Sequence, residues 1–190
     1  MPHDPHLYVS YSAGRDWLSR CIQIATGRRV NHSFFIWQDE HLGWVTLGAN
    51  ANGVTLETWQ NFAKTREVIA MFRPRDGMPS LWIGLDALKN EIDERYDYLG
   101  LGGMMWVEIQ RARGKNVDNP GSKISEWFDP KHKKTFCSQL QAAVIRRTGY
   151  QLLGGRLART IDPGEEMHFI AGDGDFAQFP PPPLAEASEG

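Results

Sequence analysis

The chain has 190 residues, 41% of them hydrophobic and 23% charged, with a formal net charge of −2. That length can bury a sizeable single core, and the near-neutral charge removes the electrostatic basis for a nucleic-acid or anionic-membrane partner. No apolar run reaches the roughly 18 residues needed to cross a bilayer, and MPHDPHLYVSYSAGRDW lacks the basic-then-apolar layout of a secretory signal. A cytoplasmic location without an integral membrane segment is the default expectation.

In chain order, LYVSY reads as a short extended entry followed by a turn. From Asp16 to Thr26, Trp17, Leu18, Cys21, Ile22, Ile24 and Ala25 recur at helical spacing, and Gly27 is a fitting stop. FFIW is a buried strand, QDEHLG a turn and WVTLGA a second strand. After the turn NANG comes VTLETW, a third strand, and REVIAMFRP over 66–74 is a fourth, closed by Pro74. Ser80 can cap a helix running to about Arg95; YDYLGLGG breaks it and MMWVEIQRA is helical again. Residues 114–134 are loop-rich, an insertion expected beside a functional face. A helix runs from Cys137 to about Thr148, and IDPGEEMHFI reads as a turn with a short strand. The single domain is expected to span 1–176, with a Pro-rich disordered tail over 177–190. The order implies an α+β fold with an antiparallel sheet.

Two cysteines are too few for a disulfide framework. The six histidines form no Cys/His pair of zinc-ligand spacing, so no metal is expected. Cys21, mid-helix among apolar residues, reads as core. Cys137 admits two readings. Leu140, Val144 and Ile145 fall on its side of the helix, so it can belong to the buried face. As a thiol in a first helical turn, it also faces unpaired N–H groups and the positive dipole end, which favour a reactive thiolate and an oxyanion site.

His32, in NHSFFIW, stands at the mouth of a strand, where an imidazole can serve a cysteine nucleophile. If the hairpin turn over 38–42 centres near Glu40, residue 32 lies opposite about residue 48, with Thr46, Gly48 and Asn50 on one sheet face. Asn50 or Thr46 could then hold the ring, with Glu57 on the next strand as a further candidate. His41, His132 and His168 sit in polar or charged surroundings. The pairs Asp39/Glu40 and Glu165/Glu166, and the basic RRV at 28–30, look like solvated surface.

A helix ending in TG, then NHS and an apolar strand, followed far later by FCSQL, resembles permuted NlpC/P60-like cysteine hydrolases of the YiiX and lecithin–retinol-acyltransferase type. YDYLG is similar to that family's "YDy" segment, and IDPGEEMHF to the proline-containing stretch after its cysteine helix. The resemblance spans about residues 7–170 and implies a circularly permuted papain-like domain in which the histidine precedes the cysteine. It implies Cys137 as nucleophile, His32 as base and Tyr98 near the oxyanion site, without a cofactor. The family often carries an acidic residue on the strand after the histidine; WVTLGA has none. The expected activity is hydrolysis of an amide or peptide bond, including cell-wall peptide, in a protein of bacterial or phage origin delivered by a phage or secretion machine where its target lies outside. The alternatives are an inactive papain-fold binding or structural domain, or a lipid acyltransferase or esterase with an apolar channel lined by Trp106 and Trp127. The residues leave the oligomeric state open.

Overall fold

The computed structural model describes residues 6–14, 17–50, 53–88, 137–151 and 161–184. The Arg95 helix end, Tyr98 and its YDYLG segment, MMWVEIQRA, the 114–134 insertion, Trp106 and Trp127 lie outside them.

Strand β1 (Tyr8–Gly14) leads into α1 (Trp17–Thr26), and β2 (His32–Asp39), β3 (Gly43–Asn50) and β4 (Gly53–Thr58) follow as a meander. Then come α2 (Trp59–Thr65), β5 (Arg66–Pro74), α3 (Trp82–Leu88), α4 (Cys137–Thr148), α5 (Pro163–Gly172) and β6 (Phe176–Phe179). The six strands form one antiparallel sheet in the order β4-β3-β2-β1-β5-β6. The α+β class and antiparallel sheet therefore stand.

The stretch that reads as a mere entry, β1, is a central strand, and every one of its residues is buried. Both of its faces are covered, so the alternate serines, Ser10 and Ser12, are as buried as Val9 and Tyr11. On one face Val9 pairs with Phe35 and Phe72, and Phe35 with Leu47. This row packs with Leu140, Val144 and Ile145 of α4 and Ile170 of α5. On the other, Tyr8, Phe34, Ile36 and Met71 pack with Trp59 and Phe62 of α2. Each such aromatic or aliphatic side chain, removed from water, stabilises the fold by about 1.5–3 kcal/mol before entropy is counted.

Several expectations change. WQNFAKT forms α2, because Trp59 and Phe62 bury as a helical i, i+3 pair instead of continuing β4. IDPGEEMHFI is no strand: Asp162 caps α5 by accepting from the N–H groups of Gly164 and Glu165, with Pro163 in the first turn. The sheet runs on to Phe179, three residues into the segment expected as tail, because β6 pairs with β5 from Pro74↔Phe176 to Met71↔Phe179. On α1, Trp17 and Ile24 are 75% and 82% exposed instead of core-facing. Cys21 is half-buried. Among the described residues no helix is long and apolar enough to cross a membrane.

Candidate active site

The entry to β2 is tightly held. The Asn31 side-chain carbonyl accepts from Gly14 N–H at 3.0 Å, its amide donates to the Ser19 carbonyl at 3.0 Å, and its N–H donates to the Ser12 carbonyl at 3.2 Å. Asn31 thereby ties β1, α1 and β2 together and fixes where His32 begins its strand. Of the preceding arginines, expected on a solvated face, Arg29 is exposed, its Nη2 donating to both carboxyl oxygens of Glu67 at 2.6 and 2.7 Å, whereas Arg28 pairs with the fully buried Asp162.

His32 is 7% exposed. Its ring stacks near Phe34 with centroids 6.0 Å apart and lies 6.2 Å from Phe62. Gly48 of β3 leaves the room it needs: a methyl group built there would stand 3.2 Å from His32 Nε2 and 3.2 Å from Phe34 Cβ. Burial, then the positive charge of Arg66, holds the imidazole well below its usual range. The ring is a neutral base set in an aromatic cage.

Cys137 opens α4 and is 6% exposed. The backbone N–H groups of Ser33 and Ser138 face its sulfur and favour the thiolate, as does Arg66, but burial outweighs them and Glu166 adds to it, so the thiol is pushed up. The dipole argument for a low-pKa thiol is thereby corrected: a helix terminus is worth about 0.3–1 kcal/mol, whereas full burial can move a titration by as much as about 3–5 units. At rest the pair is neutral thiol and neutral imidazole.

The two groups approach from opposite sides. Cys137 belongs to the α4 face, its thiol against Ser33, the residue after His32. The His32 ring occupies the α2 face with Phe34 and Phe62. They flank the His32–Ser33 peptide from the two faces of β2, and just beyond it Gln141 Nε2 of α4 donates to the Phe34 carbonyl at 2.9 Å.

The third residue is less well served. The hairpin closes at Asp39↔Gly43 and pairs Phe35 with Leu47, so its centre is His41, not Glu40. Asp39 Oδ1 accepts from the N–H groups of His41 and Leu42, and Gly43 takes φ of 71° to close the turn. The register carried on from Phe35 brings Asn50 level with His32 by backbone position; the two-residue offset keeps the face and changes the neighbour. Thr46 pairs with Ile36 and Glu57 with Thr46, while Thr46 Oγ1 donates to the Glu57 carbonyl at 3.3 Å. Both lie roughly 13 Å along the sheet from His32, so neither stands beside the ring.

The carboxyl near the thiol is instead Glu166, which the sequence places with solvated surface. It is completely buried. The start signal Asp-Pro-Gly-Glu-Glu could have placed it in the first turns of a helix. Tyr11 and Ser33 are buried in the same neighbourhood, and burial, then Glu166, then Cys137 push the Tyr11 phenol well up. Among the described residues no group of three His, Cys, Asp or Glu side chains could hold a metal ion.

A neutral, caged His32 has a measurable consequence. Its folded pKa lies below its unfolded value near 6.5, so the folded state binds fewer protons below that pH. Stability is then lost as pH falls, at about 1.4 kcal/mol per unit until the ring protonates in the fold. Urea midpoints at pH 7.5 and 5.5 should show a steeper loss in wild type than in His32→Gln. Parallel losses would mean that the folded ring accepts its proton freely.

No protein-family model matches this chain, and no curated protein does.

Proposed function

We propose that this chain is a cysteine hydrolase of circularly permuted papain-like type, cleaving an amide or peptide bond through Cys137 and His32. The observation that carries the reading is the meeting of a helix-opening thiol with the peptide adjoining His32, at the mouth of β2. In the reaction, His32 takes the thiol proton as the sulfur bonds to the carbonyl carbon, and the Cys137 N–H supports the oxyanion. Collapse breaks the C–N bond, the imidazolium returns its proton to the leaving amine, and water, deprotonated by His32, releases the acid and restores the thiol. Starting from a neutral pair, His32 works as a general base on demand.

A second reading, an inactive domain that keeps the fold, is favoured by the low exposure of both groups and by their placement on opposite sheet faces. Acylation with p-nitrophenyl acetate separates the two. The active enzyme should gain one acetyl group, mapped to Cys137, about a hundredfold more slowly in His32→Ala, with any labelling of Cys21 unchanged. A Cys137 that is never acetylated, or is acetylated at the same rate without His32, would sink the enzyme reading.

A further inference from the structure

Among the described residues Glu166 is a fully buried carboxyl beside the thiol. It sits one turn inside α5, its N–H bonded to the Asp162 carbonyl at 3.0 Å, and α5 packs on β1, β2 and β5. Its side chain is 0% exposed, and neither carboxyl oxygen makes a full hydrogen bond, although the Ser33 hydroxyl faces it. The Tyr11 and Ser33 hydroxyls, buried nearby, also make no full hydrogen bond. Among the described residues the groups that act on it are Ser33 on β2, Tyr11 on β1, Cys137 on α4 and the Asp162 carboxylate on its own helix. Arg28 is engaged by Asp162, and Arg66 acts on the thiol and on His32. A carboxylate buried with no cation beside it among the described residues, and with only the Ser33 hydroxyl to donate, carries an uncompensated charge, so the group keeps its proton.

We propose that Glu166 is a positioning residue held as a neutral carboxylic acid behind Cys137, supporting the Ser33 and Tyr11 wall without setting a negative charge against the thiol. This rests on Cys137 being the nucleophile. A charge at that depth would oppose every step in which the sulfur becomes anionic, and a neutral acid of the same shape does not. Burial, reinforced by Asp162, moves the carboxyl well above its ordinary range, and only the contact with Ser33 pulls it back. Ionising Glu166 at alkaline pH would therefore switch the thiol off.

The test is urea unfolding of wild type and Glu166→Gln across a pH series, joined to acetylation of both. The folded pKa of Glu166 is raised, so between the unfolded value near 4.3 and the folded one the native state holds one proton more, and stability is lost as pH rises. The unfolding constant of wild type relative to Glu166→Gln should climb about tenfold per pH unit above that value. A ratio independent of pH would show an ionised Glu166 and overturn the proposal. Acetylation of Cys137 at neutral pH should agree within about twofold between the two proteins and fall in Glu166→Ala; a tenfold faster Glu166→Gln protein would mean that wild type carries the charge. If Cys137 is not acetylated in any of them, the hydrolase reading fails, and the positioning role with it, while the unfolding series still decides the proton. Should Glu166→Gln fail to fold, carboxyl NMR of wild type with labelled glutamate reads the same proton. One resonance still in its acid form at about pH 6 is expected, and titration of all of them below that pH would overturn the proposal.

Discussion

Gly84→Ala should lower stability by about 3 kcal/mol, the upper end of what overpacking does. A methyl group at Gly84 would stand 2.1 Å from the Val144 carbonyl oxygen and 2.5 Å from Thr148 Oγ1. The first is backbone in the middle of α4 and already accepts from Thr148 Oγ1 at 2.9 Å, so it cannot rotate away. Helix propensity pulls the other way, since alanine within a helix is better than glycine by about 1 kcal/mol. Steric conflict wins because α3 must lift off α4, losing contacts of Leu81 and Leu85 with the main core. A urea transition moved to lower midpoint with unchanged slope would show this. A loss below about 1 kcal/mol would mean that the two helices separate without penalty. Because α4 carries Cys137 at its first residue, the same variant should also slow acetylation of the thiol.

The parts of this fold that were legible are those in which one stretch of chain decides its own state. FFIW within β2, WVTLGA within β3 and REVIAMFRP as β5 were readable from apolar content and bounding turns, and Gly149, with φ of 104°, ends α4 as its type implies. The central place of β1 was not legible, because nothing in LYVSYSAG says that two strands will flank it. α2 was hidden since no Gly or Pro separates it from β4, and Thr58 provides no side-chain cap. At the site, residue type and chain order were enough to single out His32 and Cys137, and the structure brings Cys137 against the residue after His32. Their protonation states were not legible, because burial is a property of the packed whole and it reversed the sign expected from the helix end. Glu166 was missed for the same reason. A carboxylate beside another carboxylate reads as surface, and only the packing of α5 on the sheet carries one of the pair inward while Glu165 stays half-buried.

The last expectation concerns the link that keeps the two halves of the site in register. Asp162→Ala should lower stability by about 2–4 kcal/mol, and Asp162→Asn by less. Asp162 Oδ1 accepts from Gly164 N–H at 2.8 Å and Glu165 N–H at 3.0 Å, a cap worth about 1 kcal/mol. Its other oxygen receives Arg28, which stands four residues before His32. Breaking a buried ion pair from one side typically costs about 3–5 kcal/mol, but the Arg28 side chain is 39% exposed and water recovers part of that. Gly164 shows how closely the pair is fitted, since a methyl group there would meet Arg28 Cδ at 2.6 Å. Asparagine keeps the cap and removes only the charge, so its loss relative to wild type reads the tether, and the further loss in alanine reads the helix start. If the tether positions β2, Asp162→Asn should slow Cys137 acetylation more than its stability loss accounts for, with the profile of Cys21 labelling unchanged. Acetylation that stays at the wild-type rate in Asp162→Asn would confine Asp162 to holding α5 and leave the placing of His32 to Asn31 and the β1 pairing.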